Sequence, residues 1–319
     1  MEPIQTIVAE LSRAKRVLLL GHLDPDGDSA GSILALADAL SDRAVYCYSD
    51  GPLPVRYRLL DPKGRLKQNV DANFHADLAI AMEAPQRDRL GRGTAMIEGV
   101  RLINMDHHRD NSRYGDVVWV DPEAAALGEM IYELLRAWGR PISPDMATCL
   151  YTAILTDTGR FRYKGTSART LAICSELVEL GADPSEITRQ IYFGLPFSYL
   201  QLMRTALDGM EQGAGGHVLA FTLLPEHFEG AGAQPQDAEG SIDLTLLSDQ
   251  VQIGMLFRQP SPEQVKISFR SQNGVDVGGL AALYGGGGHK NASGCTVRGR
   301  LAEVKPEVMK RAAEWLKQI

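Results

Sequence analysis

The chain has 319 residues, 44% of them hydrophobic and 23% charged, with a formal charge of −7. That length suits roughly two domains, and the ordinary composition supports a full hydrophobic core without staples. The acidic balance argues against a general nucleic-acid coat protein, and no apolar run approaches the ~20 residues of a membrane span.

The N-terminal stretch MEPIQTIVAELSRAKR is amphipathic and does not resemble a signal peptide. RVLLLGH (16–22) reads as a short buried strand, and DSAGSILALADAL as the helix after it, capped by Asp or Ser. AVYCYS reads as the second strand, ADLAIAM as the third, VRLINMD as the fourth and DVVWVD as a fifth. Near-continuous apolar strands separated by helices indicate a parallel sheet covered on both faces. Helices are expected over 124–138, 145–156, 167–180 and 184–193, with a connecting helix in LPFSYLQLMRTALDGM. From His217 the texture changes to antiparallel-looking strands, HVLAFTLL, QIGMLF and QVKISFR, with helical segments over 242–248, 277–284 and 301–317. The expected division is therefore a domain over 1–189, a connecting helix over 190–212 and a smaller α/β domain over 213–319. The cysteines Cys47, Cys149, Cys174 and Cys295 lie far apart with no CxxC pairing, as expected of reduced thiols in a cytoplasmic protein.

Acidic residues and histidines recur where the apolar runs end. They are His22, Asp26 and Asp28 in GHLDPDGDS, Glu83 in AMEAPQRDR, Asp106, His107 and His108 in NMDHHRD, and Asp157 in ILTDTGR. Ligands in a parallel α/β sheet gather beyond the carboxyl ends of the strands, so His22, Glu83 and Asp106 are expected to converge. Asp157 closes a helical segment, where a carboxylate opposes the helix dipole and so calls for another reason to be there. Carboxylates with imidazoles suit divalent cations. The groups are too many for one ion that must leave room for substrate, and about right for two ions sharing a carboxylate. The first motif lacks the spacing of an EF-hand. GGGGHKNASG (285–294) lets backbone approach a phosphate or carboxylate closely, with His289 and Lys290 alongside. It is not a Walker A loop, because no GK[ST] follows. Arg270 lies on a strand leading toward it. Other basic residues are local: Arg109 and Arg113 after the histidines, and Arg160, Arg162 and Lys164 after Asp157.

Together these blocks resemble the DHH phosphoesterase superfamily, in its nanoRNase and phosphoadenosine-phosphate phosphatase branch, related to the RecJ exonuclease core. GHLDPDGDSAGS is similar to the family's first motif, MDHHRDNSRYGD to its namesake motif and ILTDTGRFRY to its fourth. DVGGLAALYGGGGHKNASG is similar to the signature of the associated C-terminal domain. The resemblance implies a parallel-sheet catalytic domain, a smaller α/β substrate-binding domain and an active site in the cleft between them. It implies two Mn²⁺ ions, with Mg²⁺ as the alternative. His22 and Asp26 would hold one, Asp28 and His107 the other, and Asp157 would complete the cluster. Asp106, also counted among the metal-site residues, would orient the histidines. His108 and Arg109 would assist at the phosphate. Arg270, Gly286, Gly287, Gly288 and His289 would bind substrate. Where the family carries a bridging aspartate, this chain has Glu83, one methylene longer. That change opens a rival reading, a nucleotide-binding sensor that has lost turnover. The expected substrates are short RNA or DNA oligonucleotides, phosphoadenosine phosphate, or linear and cyclic dinucleotides, and a homodimer is compatible with the chain.

Overall fold

In the computed structural model, which describes residues 2–238 and 240–317, the chain divides into two units, Met1–Leu195 and Pro196–Ile319. The first opens with α1 (Glu2–Arg13), β1 (Arg16–Leu20), α2 (Gly27–Ala39) and β2 (Ala44–Tyr48). It continues with β3 (Leu66–Lys67), β4 (Leu78–Met82), β5 (Leu102–Asp106) and β6 (Val117–Val120). Four helices follow: α3 (Leu127–Trp138), α4 (Pro144–Asp157), α5 (Ala168–Glu179) and α6 (Pro184–Thr188).

The six strands form one sheet in the order β3-β2-β1-β4-β5-β6, and every pair is parallel. Both faces are covered, as strands without polar alternation require. Val17, Leu19, Ile80, Met82, Ile103 and Met105 join the core with the helices. Leu18, Leu20, Ala79 and Ala81 pack on the other side with Tyr48, Leu90 and Ile97. The strand order reverses direction at β1 and β4, the switch point where a crevice opens beyond the strand ends.

Helices α2, α3 and α4 approach one another closely. A Cβ on Gly31 would lie 2.4 Å from the Cys149 carbonyl oxygen, and one on Gly128 would lie 2.7 Å from the Ala153 Cβ. These two glycines let α2 and α3 seat against α4, which carries Asp157 at its end.

The second unit contains α7 (Phe197–Asp208), β7 (Glu211–Gly213), β8 (Val218–Leu223), α8 (Pro225–Ala231), β9 (Ile253–Ser261) and β10 (Gln264–Ser271). It ends with α9 (Val277–Ala282), β11 (Gly287–His289), β12 (Ala292–Arg298) and α10 (Leu301–Leu316). Its sheet runs β11-β12-β10-β9-β8-β7. Ile253, Met255, Phe257, Val265, Ile267 and Phe269 build its core against α9 and α10.

The structure refines the sequence reading at four points. A two-residue strand, β3, precedes the expected third strand, too short to show periodicity. The helix expected over 184–193 is α helical only to Thr188 and continues as a π turn, Arg189–Phe193. The connecting helix, α7, buries Leu202, Met203 and Ala206 against Phe221 and Leu223 of the second unit. The second sheet is mixed rather than antiparallel, because β8 and β9 run parallel. The long connection carrying α8 returns the chain to the starting edge, as a parallel pair requires. No helix is long and apolar enough to cross a membrane among the described residues.

Candidate metal centre

The strand ends deliver the side chains the sequence singled out. His22 follows β1 by two residues, Glu83 follows β4 directly, and Asp106 is the last residue of β5. Asp26 is the N-cap of α2, its Oδ1 accepting the Ser29 amide at 3.0 Å. Asp28 lies in the first turn of the same helix, and Asp157 ends α4.

These groups meet. His22 Nε2 lies 3.9 Å from Asp26 Oδ1 and 3.8 Å from Glu83 Oε2. His107 Nε2 lies 3.6 Å from Asp28 Oδ2 and 3.3 Å from Asp157 Oδ2. The donor atoms of His22, Asp26 and Glu83 are close enough to share one ion, and so are those of Asp28, Glu83 and His107. Glu83 belongs to both. Its backbone is left-handed, with φ 55°, a conformation uncommon for a residue with a side chain. A non-glycine residue held in this way is a mark of functional sites.

The donor set fits a cation. Glu83 is 2% exposed, and its Oε2 accepts no hydrogen bond; the buried His22 Nδ1 makes none either. Buried polar atoms are otherwise almost always satisfied. Burial, reinforced by Asp26, Asp28 and Asp157, pushes the Glu83 carboxyl well above the usual range. Burial and then Asp157 push Asp28 up to about 7. Carboxylates gathered this tightly cannot all ionise without positive charge among them, and bound divalent cations would supply it. The tautomer of His107 fits the same role. Its Nδ1 is 3.1 Å from the Ala124 carbonyl oxygen, so the proton sits there and the Nε2 lone pair faces Asp28 and Asp157.

Asp106 is built differently. Its Oδ1 accepts the amides of His107 at 2.8 Å and His108 at 3.1 Å, and pairs with His108 Nδ1 at 2.7 Å. Its Oδ2 accepts Asn111 Nδ2 at 2.6 Å. Four protein donors thus meet this carboxylate and fasten the histidine loop. Burial alone would lower the basicity of His108, but the Asp106 bond and charge outweigh it and raise its pKa. Burial lowers that of His107, which favours the neutral, ligating form.

Asp28 is buried, and three donors hold it. Leu127 N reaches Oδ2 at 2.6 Å, while Gly128 N at 2.9 Å and Ser32 Oγ at 3.1 Å reach Oδ1. Sequence reasoning missed Ser32, Asn111 and the α3 amides. Asn111 lies five residues beyond Asp106 and could have been suspected. Backbone amides leave no residue-type signal.

Arg109 is exposed and pairs with the exposed Glu123 at 3.0 Å. In the second unit, Arg270 Nε lies 3.5 Å from Asp243 Oδ1. The glycine segment is not a loose cradle. Gly287–His289 pair as β11 with β12. A Cβ on Gly286 would lie 2.2 Å from the Gly294 carbonyl oxygen, and Gly288 has φ 130° with the Ala292 carbonyl oxygen 2.7 Å from any added Cβ. Close strand packing demands glycine at both positions.

A model of the DHH family N-terminal domain matches residues 16–154, and one of the DHHA1 domain matches residues 215–318. The bifunctional oligoribonuclease and PAP phosphatase NrnA of Thermus thermophilus is 33% identical over 92% of this chain and 88% of its own. This chain belongs to the DHH family of phosphoesterases. Its relatives include the enzyme of the same name from Bacillus subtilis, 26% identical over 91% of this chain and 92% of its own. The crystal structure of an exopolyphosphatase-related protein from Bacteroides fragilis superposes with a TM-score of 0.86 at 25% identity, covering 99% of this chain and 96% of that one.

Proposed function

We propose that this DHH-family chain hydrolyses short oligoribonucleotides and 3′-phosphoadenosine 5′-phosphate at a centre holding two divalent cations. The observation that carries the reading is the position of Glu83, whose carboxylate belongs to both ligand sets. Its carboxylate reaches both sets although the side chain is one methylene longer than aspartate. The sensor reading, which rested on the exchange of aspartate for glutamate, therefore loses its ground.

His22 and Asp26 would hold one ion, Asp28, His107 and Asp157 the other, and Glu83 would be shared. The mix of imidazole and carboxylate donors favours Mn²⁺ over Mg²⁺, which prefers an all-oxygen shell. Bound cations supply an activated water and positive charge facing the phosphate. The chain's own residues do the rest. Asp106 and Asn111 lock the loop that presents His107 and His108. His108, held protonated by Asp106 at Nδ1, offers Nε2 for proton transfer to the departing oxygen. Arg270 and His289 would hold the terminal phosphate of the substrate. The substrates are those named for the Thermus thermophilus and Bacillus subtilis relatives.

The test is a product assay of one purified preparation with phosphoadenosine phosphate, a three-nucleotide RNA and cyclic di-AMP, each with Mn²⁺ and with Mg²⁺. Release of phosphate from the first and mononucleotides from the second, faster with Mn²⁺, is expected. Tight binding with no product over hours would overturn the reading.

A further inference from the structure

A helix whose own N-cap residue cannot accept a hydrogen bond leaves its first amides orphaned unless another group supplies an oxygen. The N-cap of α3 is Ala126, which makes no side-chain cap. The oxygen comes instead from Asp28, 99 residues earlier in the chain, which accepts both Leu127 N and Gly128 N. Ser32, one turn along α2, adds a third donor to the same carboxylate. A carboxylate offers about four acceptor positions. Three of Asp28's are taken, and the oxygen with a position left, Oδ2, is the one 3.6 Å from His107 Nε2.

We propose that the first turn of α3 is a positioning element of the metal centre, with Gly128 and Ser32 as its positioning residues. The inference rests on the two-cation reading above. The helix start and the Ser32 hydroxyl clamp Asp28 so that a single oxygen faces the second cation. Asp28 would then offer one oxygen to a cation, and Glu83 would be the carboxylate common to both sets. Gly128 sets the clamp, because it carries no Cβ and α3 can settle against Ala153 of α4. A methyl there, 2.7 Å from the Ala153 Cβ, pushes the two amides away from Asp28.

The experiment measures Mn²⁺ affinity of the full-length protein by titration calorimetry and by the EPR signal of free Mn²⁺. Gly128→Ala is expected to weaken binding about 10- to 100-fold, the usual cost of disturbing a group that orients a ligand. Adding Ala153→Gly removes the obstructing methyl. Affinity should then return to within about threefold of the parent, while Tm falls further because glycine weakens the interior of α4. A residue of purely structural importance would make affinity and Tm fall together. Parental affinity in Gly128→Ala, or failure of Ala153→Gly to restore it, would overturn the inference. Should Gly128→Ala not fold, Ser32→Ala decides: weaker Mn²⁺ binding is expected, and unchanged binding overturns the clamp. A parent protein that binds no Mn²⁺ would overturn the metal centre itself, a different failure from a parent that binds and variants that do not respond.

Discussion

Two strand ends of one sheet, those of β4 and β5, carry buried acids in opposite states. At the end of β5, every oxygen of Asp106 meets a protein donor, and its pKa is lowered although burial alone would raise it. At the end of β4, Glu83 has an oxygen with no hydrogen bond and a strongly raised pKa. The same residue chemistry at the same depth thus serves two purposes. The satisfied acid fastens a loop, and the other keeps an acceptor suited to a cation. Hydrogen-bond saturation, more than charge or burial, separates the two.

The largest effect should come from the unsatisfied side. Glu83→Gln removes the shared charge and should cut kcat/KM by about three orders of magnitude, the scale of losing a principal source of transition-state charge stabilisation. Circular dichroism should show the fold retained, and metal-free Tm should hold, because glutamine keeps the shape of a buried carboxyl already disposed to hold a proton. A fall in Tm of many degrees would place Glu83 with Asp106 as a fastener and erase the contrast.

On the satisfied side, Asn111→Ala should cost about 10- to 100-fold in activity and should also lower stability by about 1–3 kcal/mol, the penalty for orphaning a buried acceptor. Denaturant unfolding checks the second figure. An active-site loss without a stability loss would mean that Asn111 acts on substrate.

The pH dependence sharpens the comparison. Asp28 has a folded-state pKa of about 7 against an ordinary 3.8. Between those values the metal-free folded protein binds more protons than the unfolded chain, so stability is lost as pH rises toward 7. Glu83, shifted the same way, adds to this slope. Metal-free Tm should therefore fall from pH 5 to pH 8, and saturating Mn²⁺ should flatten that fall. A Tm that climbs over this range without metal would show these acids to be ionised and paired.

The smallest change is expected at Arg109→Ala. Its pairing with Glu123 is exposed, and such pairs contribute about 0–1 kcal/mol. Activity within about threefold of the parent would place Arg109 outside the chemistry, while a hundredfold loss would bring it back.

Much of this was legible before any coordinates. The β1 and β4 strands could be read because runs such as VLLL and LAIAM have no alternation and so need cover on both faces. The convergence of His22, Glu83 and Asp106 followed from ends of neighbouring parallel strands. Asp157 was suspected because it sits at the unfavourable end of a helix dipole. Less was legible in the second unit. The parallel pairing of β8 with β9 depends on where a long connection returns, which residue patterning does not encode. The glycines at 286 and 288 suggested a phosphate cradle, and strand packing gives a second reason for them, because a missing side chain looks the same in sequence whichever neighbour needs the room.

By itself, then, the order of residues determined which donor types exist, which strand ends carry them and that cations suit them, since side-chain chemistry and periodicity are local properties. Only the folded chain decided which acids are saturated. Asp28 meets amides 99 residues away, Asp106 meets Asn111, and Glu83 keeps an oxygen to itself. Hydrogen-bond satisfaction depends on distances between backbone groups that carry no residue identity, and those distances exist only once the helices have packed.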